Sequence, residues 1–245
     1  MTKKTDTKGK KTSAKTKVKP NKKDWAELRA DSSWRMFKIM SEFVDGFEKM
    51  EQFGPCISIF GSARTKPDHP HYKMAEKMAE SLAKEGFGII TGGGPGIMEA
   101  GNKGAKMGKG SSVGLHIELR MEQDWNDYID ADKLLIFKYF FARKVMFIRY
   151  AQAFIFMPGG WGTMDETFEV LTLMQTNKVD KVPVIFVGQE YWKGLLDWMK
   201  DTMIREKYIN PEDLKLFHVT DDPKKVVKII DDFYKKQELR PNMRL

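Results

Sequence analysis

The stretch Ala153–Leu171, "AFIFMPGGWGTMDETFEVL", decides how the chain is read. Five mostly apolar residues run into Pro-Gly-Gly-Trp-Gly-Thr, and a helical pattern carrying Asp165 and Glu166 follows. A buried strand that ends on glycines and opens a helix is the βα unit of a parallel sheet. The same grammar recurs on either side. "CISIFG", "FGIIT", "SVGLHIE", "KLLIFKY", "VPVIFVG" and "LFHV" read as strands. "HYKMAEKMAESLAKEG", "FFARKVMFIRYA", "YWKGLLDWMKDTMIREKY" and "PKKVVKIIDDFYKKQ" read as helices, and the helix of the opening stretch is expected from Thr163 to about Asn177. Continuous β-branched and aromatic runs imply strands covered on both faces. The expected fold class is α/β, a Rossmann-like doubly wound parallel sheet in a single domain with an N-terminal helix.

Composition sets the bounds. The 245 residues carry a net charge of +8, but residues 1–23 hold ten lysines against one aspartate, so the remainder is close to neutral. That tail has nothing apolar to bury and is expected to be disordered. It lacks the apolar segment of a secretory signal. It could touch nucleic acid or acidic surfaces, but a solvated tail is the simpler reading, and nucleic acid is not the expected partner. The expected divisions are the tail 1–23, a helical segment 24–53, a catalytic domain 54–237 and a C-terminal tail 238–245. No apolar run approaches the roughly 18 residues that span a bilayer. The single cysteine, Cys56, excludes an intrachain disulfide framework and a CxxC site, which favours the cytoplasm. His69, His71, His116 and His218 have no HExxH spacing, so no metal is expected.

Open α/β sheets bind ligands at the carboxyl ends of their strands. Three expected strand ends are rich in glycine: "FGSAR" with Gly61 and Ser62, "TGGGPGIM" with Gly92, Gly93, Gly94, Gly96 and Met98, and "PGGWGTMDE" with Pro158, Gly159, Gly160 and Gly162. Glycine lets backbone amides approach an anion, and the next helix offers its positive end. One such turn is ordinary loop geometry; three together point to phosphate. The GxGxxG fingerprint fails because Ile97 stands where its last glycine belongs, and the Walker spacing fails too. A mononucleotide or a sugar phosphate remains.

Asp165 and Glu166 are expected in the first helical turn, with Thr163 as its cap. An acid beside a phosphate seat is unfavourable unless it works there, for example on the oxocarbenium-like transition state of N-glycoside hydrolysis. Arg143 and Lys144 of "FFARKVMF" supply cations for the phosphate and to keep the acid ionised.

"GGGPGIMEA", the Arg143–Lys144 pair and "PGGWGTMDE" together resemble the motifs of the LOG family of phosphoribohydrolases over Gly54 to Gln237. PGGxGTxxE is met by Pro158, Gly159, Gly160, Gly162, Thr163 and Glu166, and "GLHIELRMEQ" and "TLMQTNK" resemble the larger bacterial branch. The resemblance implies a homodimer or higher even oligomer that hydrolyses a nucleoside 5′-monophosphate, AMP or a cytokinin riboside 5′-monophosphate, to free base and ribose 5-phosphate. It implies Arg143 and Glu166 as the catalytic pair, with the glycine turns holding phosphate and ribose and Thr163 donating from hydroxyl and backbone. Glu118 and Thr172 become candidates for the base or ribose side. Trp161, Phe141 and Met98 are candidates for an apolar base pocket. Asp165 stands where plant members commonly have glutamate. No cofactor is implied: members have carried the label lysine decarboxylase, but nothing in the chain marks a pyridoxal phosphate lysine. A non-catalytic nucleotide or cofactor carrier of the same fold is the alternative.

Overall fold

The computed structural model describes residues 22–118, 125–238, 240 and 242, with side chains from Trp34 onward. The lysine-rich tail through Asn21 lies outside the described residues. Two compact units are formed, one ending at Lys38 and one beginning at Ile39. Helix α1 (Lys22–Met50) supplies the described part of the first and opens the second.

In the second unit strands and helices alternate: β1 (Cys56–Phe60), α2 (Pro70–Lys84), β2 (Gly88–Thr91), α3 (Ile97–Met107), β3 (Ser112–Ile117), β4 (Leu134–Phe137), α4 (Phe140–Tyr150), β5 (Ala151–Phe156), α5 (Trp161–Gln175), β6 (Val184–Phe186), α6 (Gln189–Trp198), β7 (His218–Val219) and α7 (Pro223–Tyr234). The strands form one sheet in the order β4-β3-β2-β1-β5-β6-β7, and every pairing is parallel. The doubly wound α/β expectation holds. The chain steps outward from β1 to β4, then returns to the centre at β5, so β1 and β5 flank the switch point.

Period-two alternation sends side chains to two separate cores. Ile57, Ile59, Ala153 and Ile155 face α2, α3 and α7. Cys56, Phe60, Phe154 and Phe156 face α4, α5 and α6. Met50 belongs to this second core, with Phe43 and Phe47 packed against it, so the end of α1 seats on the sheet unit. Glu42 of α1 also accepts from the amides of Lys138 and Tyr139 at 2.9 and 3.2 Å, satisfying donors just ahead of α4. Cys56 is fully buried, and burial pushes its thiol up to about 12.

Two details depart from expectation. Residues Met199–Ile204 form a π-helical turn, so α6 ends at Trp198 instead of running to Tyr208. Helix α5 starts at Trp161, two residues early. The C-terminal segment is tied down where it is described: Gln152, at a register shift beside β1, donates to the carbonyl of Arg240 at 2.9 Å, and the carbonyl of Asn242 accepts from Asp180 at 3.2 Å. No helix among the described residues is long and apolar enough to cross a membrane.

Candidate active site

The loops that follow β1, β2 and β5 meet above the switch point and are bound to one another through the peptides flanking Ser62. Its amide donates to the Pro158 carbonyl at 3.0 Å, and its carbonyl accepts from Ile97 at 3.1 Å. Two glycines make that approach possible. Gly96 sits at φ +69°, and a Cβ there would lie 2.4 Å from the Ser62 oxygen. A Cβ on Gly159 would lie 2.0 Å from Thr163 Oγ1. Above the joined loops opens a cleft of about 1020 Å³.

Gly61 and Ser62 line this cleft from β1, Gly92 and Met98 from the β2 turn, and Arg143 from α4. The whole Pro158–Gly160 turn lines it, as do Gly162, Thr163 and Glu166 of α5. Gly160, not Thr163, is the N-cap of α5, and it offers no side-chain bond. Thr163 is thus the third helical residue, and Asp165 and Glu166 fall in the second turn. The sequence placed them one turn too early because Trp161 and Gly162 carry no helix-start signal. The leading amides of α5 therefore have no carbonyl of their own helix to bind, which suits them to an anion.

Glu166 is 7% exposed. Burial raises its carboxyl to about 7, against the opposing pull of Lys144 and then Arg143; the neighbouring Glu169 and Asp165 push the same way as burial. Desolvation wins over both cations. The sequence expectation that Arg143 would keep Glu166 ionised is corrected: Lys144 has the larger effect, and neither holds the carboxyl in its ordinary range. Arg143 lies with its guanidinium carbon 5.2 Å from the Phe147 ring and 6.0 Å from that of Phe140. Gly92 makes room for it, since a Cβ there would stand 3.0 Å from Arg143 Nη2.

Other expected residues are placed elsewhere. Lys144 bonds Asp165 at 2.7 Å and Glu169 at 2.8 Å on the outer side of α5, which gives Asp165 an ion-pairing role, although Asp165 borders the cleft as well. Lys144 and Thr172 line a separate groove of about 1080 Å³ there, together with Met164, Phe168, Leu173 and Leu195. Trp161, 92% exposed, borders both the groove and the cleft. Glu118 is exposed and pairs with Lys138 at 3.6 Å. Phe141 packs on Phe43 and Tyr139, and Phe140 takes the place at the cleft. Among the described residues no cluster of three His, Cys, Asp or Glu is placed to hold a metal.

Gly93 and Gly94 are not in the cleft wall; they shape the β2 turn from behind. Asn126 Nδ2 donates to the carbonyls of Gly93 and Gly94 at 2.9 and 3.0 Å and to Asn102 Oδ1 at 3.0 Å. Asn102 Oδ1 also accepts from Thr91 Oγ1 at 2.5 Å, and Thr91 Oγ1 accepts from the Gly93 amide at 3.0 Å. Asn126→Ala takes the donor from the Gly94 carbonyl in a partly buried turn, while the Gly93 carbonyl keeps the backbone amide of residue 126 at 2.8 Å; a cost of about 1–2 kcal/mol is expected, measured as a lower urea midpoint at unchanged slope. No motif marks Asn126. Nor does any motif mark Arg64, Thr65, His69, His71 and Tyr191, which also line the cleft. The usable signal was their position: the start of the helix after a strand end faces the same crevice. Burial and then the neighbouring His69 hold His71 below the usual imidazole range, with Asp221 opposing.

Residues 98–230 match the protein family described as "Possible lysine decarboxylase". The chain is similar to a Mycobacterium marinum protein named cytokinin riboside 5′-monophosphate phosphoribohydrolase, 30% identical over 137 residues that cover 55% of this chain and 73% of the relative. A Mycobacterium tuberculosis protein of the same name is 27% identical over 157 residues, 64% of this chain and 83% of the relative. The molybdenum cofactor binding protein of Rippkaea orientalis superposes with a TM-score of 0.55 at 18% identity, over 74% of this chain and 98% of that one. The molybdenum cofactor carrier protein of Chlamydomonas reinhardtii gives 0.53 at 21% identity, over 74% and 99%. At those identities the two structures speak to the fold alone. The family match spans more than half of the sequence, and with the mycobacterial relatives and the geometry of the three joined loops it establishes that the chain belongs to the LOG family.

Proposed function

We propose that the protein hydrolyses the N-glycosidic bond of a nucleoside 5′-monophosphate, AMP or a cytokinin riboside 5′-monophosphate, to free base and ribose 5-phosphate. One observation carries this reading: a nearly buried carboxyl, Glu166, shares a cleft with Arg143 and with the residues that open α5. A pure phosphate binder gains nothing from an acid in that position. The α5 amides and the Pro158–Gly160 turn take the 5′-phosphate, and the ribose then lies toward Glu166.

In the reaction the bond from C1′ to the base nitrogen breaks, and positive charge develops on the sugar. The Glu166 carboxylate faces that charge and accepts a proton from the attacking water as the new C1′–O bond forms. The departing base takes up a proton, so charge balances. A carboxyl near 7 can both accept and return that proton at neutral pH. Arg143, fixed by its two phenylalanine neighbours, contacts substrate and supports the ionised form of Glu166. Incubation with AMP followed by chromatography tests this: adenine and ribose 5-phosphate in equal amounts are expected, whereas intact bound AMP would make the protein a carrier.

The groove on the outer side of α5 is the face assigned to a second copy of the chain, on the strength of the exposed Trp161 beside Met164, Phe168, Leu173 and Leu195. Light scattering should find an even oligomer in the wild type and a smaller species for Trp161→Glu. A wild-type mass of one chain would end this assignment.

A further inference from the structure

We infer that Tyr191 is a positioning residue for the phosphate seat, acting on the Gly159–Gly160 peptide from the far side of the switch point. The inference rests on the phosphate-seat reading above. Tyr191 stands in the first turn of α6, and its hydroxyl donates to the Gly159 carbonyl at 2.5 Å. In a trans peptide the carbonyl and the next amide point opposite ways, so fixing the Gly159 oxygen also fixes the Gly160 N–H. That peptide lies between two glycines, where rotation about the flanking bonds meets little steric resistance. Without a partner for its oxygen, the unit could turn a carbonyl toward the anion and an amide away from it.

The anchor behind Tyr191 is rigid. Its ring meets Trp192 edge-on with centroids 5.0 Å apart. Trp192 is fully buried and donates from Nε1 to the Val187 carbonyl at 3.0 Å. The start of α6 is held from another loop, because Asp221 Oδ1 accepts from the amides of Gly188 and Gln189 at 2.6 and 3.1 Å. Gly188, at φ +91°, lies so close to Pro158 that a Cβ there would be 2.7 Å from the proline ring. The β6–α6 junction thus braces the turn after β5 twice, by packing on Pro158 and by a hydrogen bond to Gly159.

Tyr191→Phe keeps the ring and removes the brace. Inhibition of AMP hydrolysis by ribose 5-phosphate and by inorganic phosphate is expected to weaken about fivefold. KM for AMP should rise by a similar factor, while inhibition by adenine, which carries no phosphate, stays within error. Glycine-selective ¹⁵N labelling should show the Gly160 amide signal displaced in the ligand-free variant, which a mere substrate contact would not produce. Unchanged phosphate inhibition, or a wild-type Gly160 signal, overturns the inference while leaving the hydrolase reading intact. A wild type that binds neither ribose 5-phosphate nor phosphate overturns both.

Discussion

Glu166→Gln is expected to lower kcat/KM for AMP by about a thousandfold, the middle to upper range for removing a general acid–base group. The same change should make the fold more stable at alkaline pH. Burial raises this carboxyl to about 7 from an ordinary 4.5, so folding favours its protonated form. The folded protein therefore suffers no penalty from Glu166 below about pH 4.5. The penalty grows as pH rises from about 4.5 to about 7 and is complete above that, at about 3 kcal/mol from the size of the shift. A neutral isostere escapes it. The Tm of Glu166→Gln should exceed that of the wild type at pH 8 and match it near pH 4.5. The wild-type kcat/KM should fall as pH drops through about 7, because the proposed mechanism works through the carboxylate. A variant that is inactive but no more stable at pH 8 would show that Glu166 is not strained by burial. A wild-type acid limb near 4.5 would say the same.

Gly96→Ala should have the largest effect on stability. Its φ of +69° disfavours any side chain, and the added carbon would meet the Ser62 oxygen at 2.4 Å and the Ala63 carbonyl carbon at 2.7 Å. Both obstacles are backbone, so no side chain can swing aside. Backbone strain and the clash together should cost on the order of 4 kcal/mol. The damage should not stay local. Ser62 bonds the β2 turn through its carbonyl and the β5 turn through its amide, so pushing its peptides moves the loops of the proposed phosphate seat. A urea midpoint far below wild type, with KM for AMP raised in the fraction that folds, is the expected pair of results. Gly194→Ala is the control: nothing stands within 4 Å of the new carbon in α6, and a gain of about 0.5–1 kcal/mol is expected.

Much of this architecture could be read before any coordinates. The runs "CISIF" and "AFIF" are apolar at every position but Ser58, which points to strands covered on both faces, and they proved to be the central pair. The glycine turns were legible because their spacing serves a backbone purpose. What escaped depends on distance in space. Asn126 is one polar loop residue among many until its amide reaches two carbonyls of the β2 turn. Tyr191 lies 32 residues from the Gly159 it braces, with no pattern linking them. The glycines of "TGGGPGIM" look alike in sequence, yet Gly92 faces the cleft and Gly93 faces Ile129 and His116. The titration of Glu166 was misjudged because cations can be counted in a sequence, while the loss of water around a carboxyl cannot.

The position of Cys56 gives the molecule a built-in reporter. It is the sole cysteine of the chain and sits in β1 between β2 and β5, sealed from solvent with its proton firmly held. An alkylating reagent at pH 8 therefore finds no nucleophile until the middle of the sheet comes apart. The pace at which a single adduct accumulates in the mass spectrum then times the rarest opening of the native protein. Ligands that fill the cleft above β1 should slow that clock.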